Sequence, residues 1–106
     1  PGDAAVPGGT VRPAAAGDLV RFDLGADATG LTVVTVQSRG PLAEAFVDPG
    51  DILLTANQTP LRTPQDFESV VATARAAGRE NVMLLIGCGN PAQCGDRTWL
   101  RPVKVG

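Results

Sequence analysis

This chain of 106 residues contains no histidine, and so lacks both the commonest general base and the commonest metal ligand. Tyrosine is also absent, and there are only three Phe and one Trp, so a core has to be built from Val, Leu, Ile and Ala. No run of Lys or Arg occurs and the formal net charge is −2, which argues against nucleic acid or an anionic membrane as partner. No apolar stretch approaches the about eighteen residues that cross a bilayer. The chain opens on Pro1 without a charged, then apolar, leader, so no signal peptide is visible in it. It reads as a piece of a longer protein whose export signal would lie upstream.

What the chain does have is enough apolar sequence, 43%, for one modest core in a single domain. Residues 1–13, PGDAAVPGGTVRP, hold three Pro and three Gly with few large apolar side chains. They read as a flexible linker that cannot bury enough surface to fold, leaving residues 14–106 as the domain. Residues 19–24 alternate and predict a half-buried strand with Val20, Phe22 and Leu24 inward. Residues 31–36, dominated by β-branched side chains, predict another strand, and 41–45 a short helix. The turn Asp48-Pro49-Gly50-Asp51 then reverses the chain into a strand over 52–56.

The principal helix opens at Thr63-Pro64-Gln65-Asp66. Thr63 suits the N-cap, Pro64 the first helical position, and Asp66 the closing partner of a capping box. Phe67, Val70, Val71 and Ala74 follow at i, i+3, i+4 and i+7, one apolar stripe that any helix packed on a sheet would carry. Gly78 stands where a left-handed C-terminal residue is expected. Residues 82–86 and 98–105 predict a last pair of strands. The expected fold class is thus α+β, mainly β: five strands in a small, partly open barrel capped by one long and one short helix.

From about Gly17 to Val105 this order resembles the PDZ domains of HtrA-type (Do-type) periplasmic serine proteases, most of all the C-terminal, second one. The residues that carry the resemblance are Gly40-Pro41-Leu42-Ala43-Glu44-Ala45-Phe46-Val47-Asp48-Pro49-Gly50-Asp51-Ile52, the helix region PQDFESVVATARAAGRENVMLLI, and the closing RTWLRPVKV. The resemblance implies the bacterial, circularly permuted strand order, in which the final hairpin supplies the strand that comes first in animal PDZ domains. Two positions depart from the family pattern. Phe46 stands where a Gly usually follows the short helix, and Gln58 where a Gly usually follows Asn57, so the second turn must avoid positive φ or strain Gln58.

The function implied is non-catalytic peptide binding by strand addition to an exposed sheet edge. Carried onto this sequence, the edge would be Leu19, Val20, Arg21 and Phe22, and backbone amides around Ala15, Ala16, Gly17 and Asp18 would cradle the peptide carboxylate. Phe67, Val70, Val71 and Ala74 would wall the other side. With no His at the start of the helix to hold a ligand hydroxyl, apolar C-termini are the expected partners, together with other domains of the parent protein. The parent would be an exported serine endopeptidase, periplasmic or otherwise extracytoplasmic, alone or membrane-anchored. The alternatives are an assembly PDZ of a secretion component and the PDZ of a C-terminal processing or membrane-embedded protease.

Cys88 and Cys94 flank a short Gly/Pro loop between two strands expected to pair, which suits a structural disulfide. Two thiolates without His are too few for a zinc site, and five intervening residues are not the spacing of a redox pair. No metal or cofactor is expected. Ser38 and Ser69 have no His to activate them, a Ser–Lys arrangement would have to recruit Lys104, and Asp48 and Asp51 in a Pro-Gly turn suit local amides better than catalysis.

Overall fold

The computed structural model describes residues 4–6, 8–19, 22, 28–95 and 97–105. Among them seven strands form a single antiparallel sheet: β1 (Ala4–Val6), β2 (Gly9–Pro13), β3 (Leu31–Val36), β4 (Ile52–Ala56), β5 (Thr59–Pro60), β6 (Asn81–Gly87) and β7 (Thr98–Lys104). The sheet runs β1-β2-β3-β4-β6-β7, with β5 branching from β4. It stays open, where a partly open five-stranded barrel was expected. One long helix, α3 (Pro64–Ala76), accompanies three single-turn helices, α1 (Ala16–Leu19), α2 (Pro41–Glu44) and α4 (Pro91–Cys94).

β3 and β4 begin and end where the sequence predicts them. α3 carries the predicted capping box: the Asp66 amide donates to Thr63 Oγ1 (3.3 Å), and the Thr63 amide donates to Asp66 Oδ2 (3.1 Å). The same carboxylate oxygen also accepts from the Arg62 amide (2.9 Å), so the helix start has few unmet donors. Gly78, at φ +76, closes the other end. Phe67, Val71 and Ala74 of its stripe are buried, while Val70 is only half-buried.

Two apolar clusters divide the faces of the sheet. β4 contributes to both: Ile52 and Leu54 belong to the smaller and Leu53 to the larger, and Ala56 joins the side of Leu53 because the pairing with β6 is irregular between Leu53 and Thr55. The larger cluster joins α3 through Phe67, Val71 and Ala74 to Val11, Leu31, Val33, Val82, Leu84 and Ile86 of the sheet. The smaller holds Leu19 and Phe22 against the opposite face. Glycines make room there: a Cβ on Gly87 would fall 2.8 Å from Phe22 Cζ, and one on Gly30 3.2 Å from Leu19 Cδ2.

Three sequence expectations are corrected by these elements. The linker assigned to 1–13 contains β1 and β2, with Val6 and Val11 buried in the main core. The strand assigned to 19–24 does not begin at Leu19, which ends α1, and Phe22 is in a 3₁₀ rather than an extended conformation; residues 20, 21, 23 and 24 lie outside the described residues. Leu19 and Phe22 are three apart, a spacing that a strand would send to opposite faces, yet both are buried in the same smaller cluster. Among the described residues there are seven strands where five were expected, with β1, β2 and the two-residue β5 added.

Candidate functional site

A site for strand addition needs an antiparallel-competent sheet edge beside a helix. Here the strand that meets those terms is β2, on the sheet face covered by α3. β2 pairs with β3 from Gly9 opposite Val36 to Pro13 opposite Leu31, with an irregularity between Thr10 and Val11. The hydroxyls of Thr10 and Thr35 bond across the pair at 2.7 Å. α3 packs against β1, β2 and β6.

The outer side of β2 is already paired. β1 lies antiparallel on it, with Ala4 opposite Val11, Ala5 opposite Thr10 and Val6 opposite Gly9. Val6 is 7% exposed and belongs to the cluster that contains Val71 and Ala74 of α3. The slot between β2 and the long helix is therefore occupied by the chain's own residues 4–6.

Local sequence explains the anchoring of this hairpin. Gly8 takes φ +95, and a Cβ on it would fall 2.9 Å from the Leu42 amide nitrogen at the start of α2. Gly9 passes so close to Thr35 that any Cβ would collide with the Thr35 carbonyl oxygen. The Gln37 amide donates to the Gly8 carbonyl at 2.7 Å. Two glycines in succession are thus what lets the turn press against α2 and β3.

The residues predicted as the site do not come together as expected. Ala15 and Gly17 are exposed, and Ala16, Gly17, Asp18 and Leu19 form the turn of α1. Leu19 and Phe22 are buried on the sheet face opposite α3, so they cannot face Phe67, Val71 and Ala74 across a groove. Val20 and Arg21 lie outside the described residues. Phe67, Val71 and Ala74 do lie on the predicted side, as packed core rather than as an open wall. The signal for β2 that a sequence offers is slight: Gly-Gly followed by Thr-Val-Arg, with a two-residue spacing back to Val6.

The Asp48-Pro49-Gly50-Asp51 turn is a brace. Asp51 is buried to 7% exposure, and its carboxylate accepts from the Asp48 amide (3.0 Å) and from the Gly89 amide (2.9 Å). The Gly50 amide donates to the Val33 carbonyl and the Val33 amide to the Asp51 carbonyl, both at 2.8 Å. These contacts tie β3 to the loop that follows β6. That loop is closed by the Cys88–Cys94 disulfide, with Cα atoms 6.0 Å apart.

Other candidate features stay separate. Ser38, Ser69 and Lys104 are exposed on three different elements. A surface hollow of about 540 Å³ lies at the C-terminal end of α3, walled by Thr73, Ala77, Asn57, Met83 and Leu100, with no residue of β1 or β2 in it. Phe46, at φ +61, is 69% exposed and its ring lies 5.2 Å from the Arg101 guanidinium carbon. Among the described residues no group of three His, Cys, Asp or Glu is placed to hold a metal ion. No helix there is long and apolar enough to cross a membrane.

No protein-family model matches the chain. It is 30% identical over 70 residues to the "Probable periplasmic serine endoprotease DegP-like" of Chlamydia trachomatis serovar D, a match covering 66% of this chain and 14% of that protein. The protein of the same description from Chlamydia muridarum is 30% identical over 69 residues, covering 65% of this chain and 13% of its own length. The chain is therefore distantly similar to a segment of periplasmic serine endoproteases and spans about one-seventh of the curated relatives it matches.

Proposed function

We propose that this chain is a PDZ-like module that binds extended peptide segments or C-termini by strand addition to β2, and that it serves as the substrate-recognition or regulatory part of an exported HtrA-like serine protease. The observation that carries the reading is an antiparallel strand seated between β2 and α3, the place a ligand strand would take. The Pro-Gly-Asp brace, the capped long helix and the distant similarity to DegP-like endoproteases add support.

The module itself contributes no catalysis under this reading, because without His neither Ser38 nor Ser69 has a base to activate it. Its partners are apolar peptide C-termini and the other domains of its parent, in an extracytoplasmic compartment where the Cys88–Cys94 bridge persists. The test is a titration of a panel of peptides ending in apolar residues, each in free-acid and C-terminally amidated form, followed by backbone amide shifts. Shifts at β2 and α3 that weaken on amidation are expected. Equal response to both forms, or no response at β2, removes C-terminal recognition.

A further inference from the structure

The peptide reading leaves a strand unexplained: the slot beside β2 is filled by β1, three residues long and joined to β2 by only two. Its burial alternates as a docked ligand's would. Val6 points into the core at 7% exposure, Ala5 is exposed, and Ala4 is half-buried. Antiparallel pairing places Val6, the last residue of the strand, opposite Gly9 at the start of β2. An incoming peptide in the same direction would end there too.

We infer that β1 is a resident stand-in for ligand, so that a peptide binds by displacing Ala4–Val6, and that the slot selects extended segments ending in small aliphatic residues with a Val-sized final side chain. The inference rests on the strand-addition reading and names both its specificity and its regulation. A three-residue edge strand pairs with one neighbour only and is marginal by itself. Its tether compensates, because a segment two residues from its docking site competes at a millimolar effective concentration. The apparent affinity for an added peptide then falls by the fraction of time the slot is open. A shift of about tenfold is the scale to look for.

The probe is a fluorescein-labelled pentapeptide, Gly-Asp-Ala-Ala-Val with a free C-terminus, which repeats residues 2–6. It is titrated against the full chain and against the full chain carrying Val6→Asp, which places a charge in the apolar seat. The expected result is binding about tenfold tighter to Val6→Asp. Amide exchange of the unmodified chain is measured in parallel: saturating peptide should leave the β2 amides protected while Ala4 and Val6 lose protection.

Equal affinity for the two chains overturns the stand-in role and leaves peptide binding intact. Failure of both chains to bind this probe or any of the apolar panel overturns the inference together with the proposed function. Should Val6→Asp not fold, the exchange experiment decides alone, and β1 amides as unprotected without peptide as with it overturn the inference.

Discussion

Gln58→Gly should stabilise this protein, although it deletes a side chain. Asn57 and Gln58 form the two-residue link between Ala56 and Thr59, which pair across β4 and β5. Both have positive φ, +48 and +68, the arrangement that a tight hairpin needs and that Asn-Gly meets best. Asn57 suits its place: its amide donates to the Met83 carbonyl at 2.8 Å and its Oδ1 accepts from the Met83 amide at 2.9 Å.

Gln58 has a Cβ in a left-handed conformation, which costs about 1–2 kcal/mol. Glycine removes that strain but adds about 0.5–1 kcal/mol of unfolded-state freedom to be lost on folding. Since residue 58 is exposed, burial changes little, and the net gain is about 0.5–1 kcal/mol. At about 2.1 cal/mol/K per residue of unfolding entropy, that raises Tm by about 2–5 °C in a domain of this size. The assay is urea unfolding with the disulfide kept oxidised, comparing midpoints at unchanged slope. Gln58→Ala is the control, because alanine keeps the Cβ and gains nothing. If Gln58→Gly is no more stable than Gln58→Ala, the strain argument is refuted.

Three further outcomes follow from the packing. Asp51→Ala should cost about 2–4 kcal/mol in the same unfolding assay, because the amides of Asp48 and Gly89 lose a charged acceptor; Asp51→Asn should cost less. Gly9→Ala should cost about 1–3 kcal/mol, since the added methyl can be seated only by moving β2 off the Thr35 carbonyl; it should also raise amide exchange along β2 and β3. Replacing both Cys88 and Cys94 by Ser should cost about 2 kcal/mol from the loss of a short closed loop, with the Asp51–Gly89 bond retained as judged by slow exchange of the Gly89 amide.

Several features were legible because a few adjacent residues decide them. Thr63, Pro64 and Asp66 specify a helix start through contacts three residues apart, and that start is found. The Asp48-Pro49-Gly50-Asp51 turn reads from backbone preference, and the cysteine pair from a short loop between pairing strands. Phe46 and Gln58 stand where glycine is usual, which by sequence counts against a left-handed backbone at 46 and leaves strain as one of two outcomes at 58; both take positive φ nonetheless.

The candidate edge was misplaced for a reason of the same kind. Residues 19–24 offer the stronger alternation, whereas β1 and β2 place only Val6 and Val11 among Ala, Thr, Arg, Gly and Pro, and the Gly and Pro around them signal turns and linkers.

Local chemistry in the sequence was sufficient for helix capping, turn placement, the aliphatic core and the central strands, because each depends on neighbours within a few positions. Which strand borders α3, and what lies on that strand, was decided by the assembled fold. β1 and β2 gain their burial from β3 and α3, partners distant in the sequence, and no pattern within residues 4–13 encodes that support.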